Sequence, residues 1–302
     1  MSVNLPALEA ALAELPADHQ MALRPVVLAA DFRGSIPQAR VEAIASALGH
    51  PLDQTMLDLL DLARAYAVAP ISRFQVGAVA RGLSGNLYFG ANMEFANQAL
   101  ACCVHAEQAA VANAWVHGET GLATLAVSAA PCGSCRQFLN EIVTAATLRI
   151  VVPRQSPLAL RDVLPQAFGP GDLGQRGGLL SGAAHQLTTA APAQDPVVSA
   201  ALRAARMSYA PYSQGYAGVA LETVDRQVVW APYAENAAFN PSLSPMGAAL
   251  SQLRLAGSAF DAIRRAVLVQ AQATLCSQVD ISQAVLTSVA NVELQVVEAH
   301  PE

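Results

Sequence analysis

Apolar residues at steps of three and four positions open the chain and predict helices at its N-terminus. The leucines of this pattern share one face of a helix with 3.6 residues per turn: Leu5, Leu8, Leu12 and Leu15. The run Ser35-Ile-Pro-Gln38 resembles a helix capping box with a proline in the first turn, and an alanine-rich helical run to Leu48 follows it. We therefore predict a helical segment over residues 1–50.

A further helix is predicted from Asp53 to Tyr66. The residues on its buried face are Met56, Leu59, Leu60 and Ala63. Beyond it, short β-compatible segments bounded by glycines alternate with helical runs. The predicted strands are 74–80, 87–89, 124–128 and 148–152, and the predicted helices are 105–117 and 134–144. The order α-β-β-α-β-α-β predicts a mixed sheet with helices on both faces, a three-layer α/β/α sandwich over residues 51–153.

The pattern of this unit returns in the second half of the chain, after a connecting segment rich in Pro, Gly, Gln and Ser at 154–196. The matching runs are Pro70-Ile-Ser72 with Pro211-Tyr-Ser213, Gly77-Ala-Val79 with Gly218-Val-Ala220, and Asn92-Met-Glu-Phe95 with Asn236-Ala-Ala-Phe239. Their spacing, about 140–144 residues, favours an internal duplication over a short solenoid repeat. We therefore predict a second α/β copy over residues 197–302.

Charge and hydropathy narrow the classes of function. The net charge is −6 and all 17 basic residues are arginines without a basic stripe, which disfavours a nucleic-acid partner. Residues 1–20 contain no Lys or Arg, and no apolar run reaches the roughly 18–20 residues of a membrane helix. We therefore expect a cytoplasmic protein without a membrane partner.

Four of the five cysteines lie close together in the sequence, at Cys102, Cys103, Cys132 and Cys135. A secreted disulfide framework seldom has this layout, so the clustering indicates a reduced protein with a metal. Cys132 and Cys135 have the spacing that lets both sulfurs reach one ion at the start of a helix. His105 supplies a third ligand suited to tetrahedral zinc, and Glu107 reaches the open position as a non-ligand.

Two interpretations of this ligand set remain open from the residues. In the first, three ligands leave one zinc position vacant, as a catalytic site requires. In the second, Cys103 supplies a fourth ligand and closes the site, which makes the zinc structural and the chain an interaction module. The acid/base residue at Glu107 favours the first interpretation.

A histidine, one residue, a glutamate and a later Pro-Cys-x-x-Cys form the signature of the zinc nucleobase deaminases. Beyond that signature, the chain closely resembles the long-chain, homodimeric cytidine deaminases from about residue 50 to 270. The segments that carry the resemblance are Gly90-Ala-Asn-Met-Glu-Phe95, Val104-His-Ala-Glu-Gln108, Pro131-Cys-Gly-Ser-Cys-Arg-Gln-Phe138, Leu164-Pro-Gln-Ala-Phe-Gly-Pro170 and Tyr233-Ala-Glu-Asn-Ala-Ala-Phe-Asn-Pro241.

The resemblance implies a duplicated α/β/α sandwich of the cytidine deaminase type and one Zn²⁺ per subunit. It implies hydrolysis of cytidine and deoxycytidine to uridine and deoxyuridine, with release of ammonia, as in pyrimidine salvage. A zinc-bound hydroxide would attack C4, with Glu107 as the proton shuttle. Deaminases of polynucleotides or of the free base remain alternatives.

The resemblance also implies the substrate contacts. Asn92 and Glu94 correspond to the family's ribose binders, and a carboxylate there would repel a phosphate, which favours a free pyrimidine nucleoside. The other expected contacts are Phe74, Ala106 and Phe168 and, from the partner subunit of a homodimer, Ala237 and Phe239.

The second copy is expected to lack the chemistry. Aligning the segments that follow the two signatures places Ser244 at the position of His105 and Met246 at that of Glu107. Ala238 is expected to replace Glu94. The missing residues predict that the second copy does not bind zinc, and the resemblance implies that it completes the active site of the partner subunit.

Overall fold

The computed structural model describes residues 2–182, 184–190, 194–272 and 274–301, which form two mixed sheets with helices against both faces. The α-helices are α1 (Leu5–Ala13), α2 (Ala17–Val27), α3 (Gln38–Leu48), α4 (Leu52–Asp58), α5 (Leu60–Arg64), α6 (Ala106–Val116), α7 (Gly133–Leu139), α8 (Leu160–Val163), α9 (Pro196–Met207), α10 (Pro245–Leu255) and α11 (Val279–Val289). The strands are β1 (Ser35–Ile36), β2 (Gly77–Gly82), β3 (Leu87–Ala91), β4 (Leu122–Val127), β5 (Arg149–Val151), β6 (Leu158–Ala159), β7 (Leu187–Thr189), β8 (Ala217–Thr223), β9 (Val228–Pro232), β10 (Ile263–Ala271) and β11 (Leu294–Pro301). Within the described ranges, no helix has both the length and the apolar character needed to cross a membrane.

The N-terminal segment is largely helical, as predicted, but the expected capping box is wrong. Ser35 and Ile36 form β1, where Ser35 pairs with Tyr88 on β3. Because the edge of the sheet takes Ser35, the first amide of α3 is capped from elsewhere: the Asn86 side chain accepts from the Gln38 N–H at 2.8 Å. The proline before α3 has the extended backbone of an N-cap residue.

The first sheet has the order β1-β3-β2-β4-β5-β6, with β2 antiparallel to both neighbours and β4 parallel to β5. Side chains alternate across it: Ala78 and Ala80 pack in the cluster that contains α6, and Val79 packs in the cluster of the N-terminal helices. The helix predicted from Asp53 to Tyr66 is divided at Leu59 into α4 and α5 and buries its predicted face on this sheet. This unit therefore has three layers.

The second sheet repeats the arrangement, with the order β7-β11-β10-β8-β9 and β10 parallel to β11. Val219 and Leu221 face the cluster with α10, and Ala220 faces the cluster with α9. The predicted connecting segment 154–196 contributes β7 to the edge of this sheet, where Thr189 pairs with Ala299.

Isolated bridges give the register of the duplication. Val68 bridges Met93, which bridges Val104, in the first copy, and Tyr209 bridges Ala234, which bridges Leu243, in the second. The offset is therefore 141 residues at Met93 and 139 at Val104, since the loop between these points is two residues shorter in the second copy. In the second copy, Glu235 therefore corresponds to Glu94. The expectation that Ala238 replaces Glu94 is wrong. The recurring Asn-x-x-Phe runs at 92 and 236 are 144 residues apart, so pairing them shifts the alignment by three residues from the register at Met93.

Helices α6 and α10 pack against each other between the two sheets. Every residue of α6 from Ala106 to Trp115 is buried, which is unusual for a helix and requires packing on all sides. One link between the copies is polar: the Gln108 side-chain amide donates to the Pro241 carbonyl at 3.0 Å. The helix that begins at the candidate metal site is thus held by both copies.

Candidate active site

Three candidate metal ligands converge at the N-terminal ends of two helices. His105 is the N-cap residue of α6, and Cys132 is the N-cap residue of α7, where its sulfur accepts from the Cys135 N–H at 3.5 Å. The Nδ1 of His105 lies 3.6 Å from the Cys132 Sγ and 3.3 Å from the Cys135 Sγ. The helix starts bring backbone N–H groups toward the sulfurs, which favours thiolates.

The donor set fits zinc. Zn–S bonds of about 2.3 Å and Zn–N bonds of about 2.0–2.1 Å at tetrahedral angles require an S···N separation of about 3.5 Å. The two measured separations, 3.6 and 3.3 Å, bracket this value. Cys135 is buried, whereas His105 and Cys132 are open to solvent, so a fourth position would face outward.

Without a metal, the pKa values of Cys132 and Cys135 are shifted in opposite directions. A hydrogen bond from the Cys135 thiol, with a smaller contribution from His105, lowers the pKa of Cys132 to about 5. The hydrogen bond that the Cys135 thiol donates to Cys132, together with burial, raises the pKa of Cys135. A dication would remove this asymmetry, because a coordinating thiol is deprotonated outright.

Glu107 occupies the first turn of α6, two residues after His105, and is only 4% exposed. Burial raises the pKa of its carboxyl, while a hydrogen bond with Cys135 and the charge of His105 act in the opposite direction. A buried carboxyl with a raised pKa beside a metal site is able both to accept and to return a proton near neutral pH.

Glu94 is fixed by the loop before β2. Its Oε2 accepts from the backbone N–H groups of Ile71 at 2.7 Å and Ser72 at 2.9 Å, and its Oε1 accepts from the Ser72 hydroxyl. Burial opposes the charge, but these hydrogen bonds outweigh it and hold the pKa of Glu94 below its ordinary value. The carboxylate is therefore ionised and oriented before any ligand arrives.

Sequence reasoning missed Ser72 as the residue that orients Glu94. The same cradle exists in the second copy, where Glu235 accepts from the N–H groups of Tyr212 and Ser213 and from the Ser213 hydroxyl. The residue after each serine, Arg73 or Gln214, has a positive φ, 57° or 56°. The repeated Pro-x-Ser run was the available signal.

Asn92 braces the same loop from the other side. Its Oδ1 accepts from the Val76 N–H at 2.8 Å, and its Nδ2 donates to the Phe74 carbonyl at 2.9 Å. One amide hydrogen and one oxygen lone pair stay available for a ligand. The side chain therefore couples the position of Phe74 to the floor of the site.

A cavity of about 470 Å³ joins these groups. The predicted site residues that line it are Phe74, Asn92, Glu94, His105, Ala106, Glu107 and Cys132. Cys135 lies buried in contact with His105 at the metal position. Phe74 is 61% exposed at the rim, where Leu100 and Ile71 are exposed too. The volume is in the range of pockets that hold small organic ligands.

The remaining predicted contacts do not line this cavity. The Phe168 carbonyl accepts from the Gln137 and Asn140 side chains beyond the metal end of α7. The Ala237 N–H donates to Glu141, and Gln137 binds Asn236. Phe168 and Phe239 are 45% and 66% exposed, whereas Ala237 is buried. No sequence motif marks Glu141.

The second copy lacks the donor set, as expected. Ser244 caps α10 where His105 precedes α6, and its hydroxyl accepts from the Gly247 N–H at 3.1 Å. Met246 takes the place of Glu107 and is buried. The helix start is kept, but imidazole and carboxyl are replaced by a neutral cap and an apolar side chain.

Comparison with known proteins places these observations in a family. The family described as the cytidine and deoxycytidylate deaminase zinc-binding region matches residues 51–151 and again residues 160–283. The cytidine deaminase of Aeromonas hydrophila is 48% identical over 281 residues, covering 93% of this chain and 95% of that one. The cytidine deaminase of Vibrio parahaemolyticus is 45% identical over 263 residues, covering 87% and 88%.

Among solved structures, the cytidine deaminase of Mycobacterium tuberculosis is 38% identical over 35% of this chain and 89% of its own, with a TM-score of 0.33. The match to the family model in each half agrees with the duplication in the fold. With near-full-length relatives at 45–48% identity, the chain belongs to the cytidine deaminase family of zinc-dependent enzymes.

Proposed function

We propose that this protein hydrolyses free cytidine and deoxycytidine to uridine and deoxyuridine and releases ammonia. The observation that carries the proposal is the position of Glu107, a buried carboxyl that shares one cavity with the metal donors His105 and Cys132 and with the oriented Glu94. Full-length relatives named cytidine deaminase support the same reaction.

The chemistry follows from the arrangement. Zinc held by His105, Cys132 and Cys135 would supply a Lewis acid that lowers the pKa of a bound water from about 15.7 toward about 7. The Glu107 carboxylate takes a proton from the attacking water and delivers it to N3 of the base. The same carboxylate then takes the second proton from the new hydroxyl at C4 and transfers it to the amine nitrogen. The C4–N bond breaks as the C4=O bond forms, and the nitrogen departs as ammonia. Proton transfer of this kind contributes roughly 10²–10⁴ in rate.

The substrate class rests on Asn92 and Glu94. Together they offer an amide donor and a charged acceptor, which suits a ribose hydroxyl, and the fixed charge of Glu94 disfavours a phosphate at that place. A free nucleoside is therefore preferred to a nucleotide or a strand, in keeping with the net charge of −6. Phe74 at the rim and Ala106 on the floor are assigned to the base.

A homodimer accounts for the contacts that lie outside the cavity. Exposed apolar side chains surround the mouth of the cavity at Ile71, Phe74 and Leu100. Phe239 is an exposed apolar side chain on the second copy. We assign Phe168 to the wall of the pyrimidine site, and Ala237 and Phe239 of each chain to the active site of its partner. Catalysis then belongs to residues 51–153, and residues 197–302 serve as scaffold and closure, joined by 154–196 and preceded by the helical segment 1–50.

The state of the cysteines bears on the cellular compartment of the enzyme. None of the five cysteines forms a disulfide in the structure, as is usual in a reducing cytoplasm. We therefore place the enzyme in the cytoplasm, in the salvage of pyrimidine nucleosides, without a membrane or nucleic-acid partner.

The structural-zinc alternative has less support. Within the described chain, the thiol of Cys103 is not among the donor atoms that come within 4.8 Å of one another at His105. Cys103 lines the cavity instead, and burial raises its pKa. Three ligands and an open position are the arrangement of a catalytic zinc.

The decisive experiment is an absorbance assay of the zinc-loaded enzyme with cytidine, deoxycytidine, cytosine, CMP and single-stranded DNA in parallel. Turnover of the two nucleosides alone is expected, and reaction of only the base or only the strand would overturn the substrate assignment. Glu107→Gln is the matched control: it should keep its zinc and lose at least about 100-fold in kcat. A zinc-free Glu107→Gln protein would contradict the role given to that residue.

The dimer is tested by mixing subunits. Glu107→Gln and Phe239→Ala homodimers are each expected to be impaired, and refolding them together should restore part of the activity through sites that carry neither change. A monomer in light scattering, or no recovery on mixing, would contradict the shared site.

A further inference from the structure

A second group of metal-binding side chains lies far from the cavity in sequence, under the N-terminal helices. His19 comes from α2, His50 follows α3, and Asp58 ends α4. Asp58 Oδ2 lies 2.8 Å from His50 Nδ1 and 3.5 Å from His19 Nε2, and the three donor atoms all fall within 4.8 Å of one another. We propose that this group binds a divalent transition metal ion that fastens the N-terminal segment to the catalytic copy.

The donors are oriented from behind, as metal ligands usually are. Asp18 Oδ1 lies 2.9 Å from His19 Nδ1, which leaves Nε2 of that ring directed at Asp58. Gln54 donates its side-chain amide to Asp58 Oδ1 at 2.8 Å, so the other carboxylate oxygen is the one presented to the histidines. A carboxylate behind a ligating histidine and a hydrogen bond on a ligating carboxylate are the outer contacts that recur around protein metal sites.

The donor types select the kind of ion. Two imidazoles and one carboxylate suit Zn²⁺, Co²⁺ or Ni²⁺, whereas Mg²⁺ and Ca²⁺ prefer sites built from oxygen alone. Metal–ligand bonds of about 2.0–2.2 Å at tetrahedral angles require an N···O separation of about 3.4 Å, close to the 3.5 Å between His19 and Asp58. Binding needs His50 to move outward by only about half an ångström, with loss of the proton now between it and Asp58.

The three candidate ligands are largely buried, but one of them leaves the site accessible to an ion from solvent. The side chains of His19 and Asp58 are only 10% and 12% exposed, and that of His50 is 30% exposed at the surface. An ion therefore enters past His50 and displaces little protein. Since the three donors belong to separate helices and one loop, a bound ion would restrain α2, α4 and the turn after Gly49 together.

The charges around the group are compatible with a dication. Asp58 and Asp18 face the two rings, and Gln54 is the remaining polar neighbour recorded at the carboxylate. The two carboxylate charges of Asp18 and Asp58 would balance the 2+ charge of the ion when both imidazoles are neutral. Without an ion, Asp58 accepts from His50 at 2.8 Å while His19 Nε2 lies 3.5 Å away, and the same arrangement in the presence of zinc would exclude the proposal.

The test counts metal in the intact enzyme. Protein loaded with excess Zn²⁺ and freed of loosely bound ion should contain two zinc ions per chain by mass spectrometry of the metal, whereas His50→Ala and Asp58→Asn should contain one and keep their nucleoside turnover. His300→Ala, a change on the distant strand β11, is the matched control and should keep two.

A second readout does not depend on catalysis. Added Zn²⁺ at about 100 times the dissociation constant of this second site should raise the thermal midpoint of enzyme that holds only its catalytic zinc by about 5 °C, and this shift should vanish in His50→Ala. One zinc per chain in the unchanged enzyme, or equal content and equal shift in His50→Ala, would overturn the proposal.

Discussion

The backbone amide of Ala237 donates to the buried carboxylate of Glu141, 2.9 Å away, across the boundary between the two copies. The same carboxylate accepts from the hydroxyls of Tyr209 at 2.8 Å and Tyr212 at 2.5 Å, and no part of Glu141 is exposed. Burial and the adjacent carboxylate raise the pKa of both tyrosines, which therefore stay protonated donors. The loop assigned to the partner's active site is thus anchored to the segment that follows α7.

Replacing Glu141 with an apolar residue of similar volume should lower the free energy of unfolding strongly. Glu141→Leu keeps similar volume but leaves three donors without their acceptor, the buried Ala237 N–H and the half-buried Tyr209 and Tyr212 hydroxyls, so the free energy of unfolding should fall by about 3 kcal/mol. Glu141→Gln retains one acceptor for the Ala237 amide and should lose only about 1 kcal/mol. Urea unfolding measures both, with Tyr212→Phe as the single-donor control. Equal stability of Glu141→Leu and the unchanged protein would disprove the anchor.

The duplicated cradle supplies a control for ribose binding. Glu94→Gln removes a charged acceptor worth about 1.5–3 kcal/mol, so kcat/KM for cytidine should fall about 10- to 100-fold, mainly through KM. Glu235→Gln makes the same change in the second copy, where Ser213 donates to Glu235. This variant should lower the stability of the protein and leave KM unchanged. Steady-state kinetics on both variants decide the point. Similar increases of KM in the two would show that loop disruption, not ribose contact, is responsible.

How much of this could be predicted from sequence depends on the range of the interactions involved. The predicted donors His105, Cys132 and Cys135 come together in the structure, because metal chemistry restricts both residue type and local spacing, and Glu107 shares their cavity. The leucine face of α1 and the buried face ending at Ala63 were also predicted, since a helix brings residues three and four apart to one side.

Features set by distant parts of the chain were beyond that reasoning. Ser35 has the local pattern of a cap, yet β3 takes it as an edge-strand partner. The counterpart of Glu94 was misassigned to Ala238 because the similar Asn-x-x-Phe runs lie 144 residues apart, whereas the bridges at Met93 and Ala234 set an offset of 141. Glu141 carries no motif at all, since its three donors come from residues 68 to 96 positions away.

The start of α9 should give the second copy a pH-dependent contribution to stability. Asp195 accepts from the N–H groups of Val197 and Val198 at 3.0 and 3.2 Å, and the Arg265 guanidinium lies 2.7 Å away. The hydrogen bond from Arg265 is the main cause that holds the pKa of Asp195 below its ordinary 3.8, so the native state favours the charged form. The stabilisation is therefore complete above pH 3.8 and is lost as the pH falls through the depressed value.

Two variants separate the cap from the charge. Asp195→Ala loses both and should reduce the free energy of unfolding by about 1–2 kcal/mol at pH 7, whereas Asp195→Asn keeps the cap and should lose less. Denaturant unfolding at pH 7 and pH 5 should give the same difference between the unchanged protein and Asp195→Asn, with a decrease only below pH 3.8. A difference that already shrinks between pH 7 and 5 would contradict the depressed pKa.

Gly90 sets how closely β3 approaches the helix that carries Glu107. A Cβ at this position would lie 2.2 Å from the Ala110 nitrogen and 2.3 Å from the Ala106 carbonyl oxygen, both backbone atoms that cannot turn aside. Gly90→Ala must therefore push α6 away from the sheet, at a cost of about 1–3 kcal/mol or more, and it shifts the residue between His105 and Glu107. We expect lower stability together with weaker zinc retention and lower kcat.

Two further glycines make this prediction specific. Gly171→Ala meets open space and should be neutral in every measurement, while Gly218→Ala would place its Cβ 2.3 Å from the Ala205 nitrogen in the copy without metal donors. Gly218→Ala should therefore lose stability and keep its zinc during dialysis against a weak chelator. If Gly90→Ala retains zinc as well as Gly218→Ala does, close packing at Gly90 serves stability alone, and the metal site does not depend on the seating of α6.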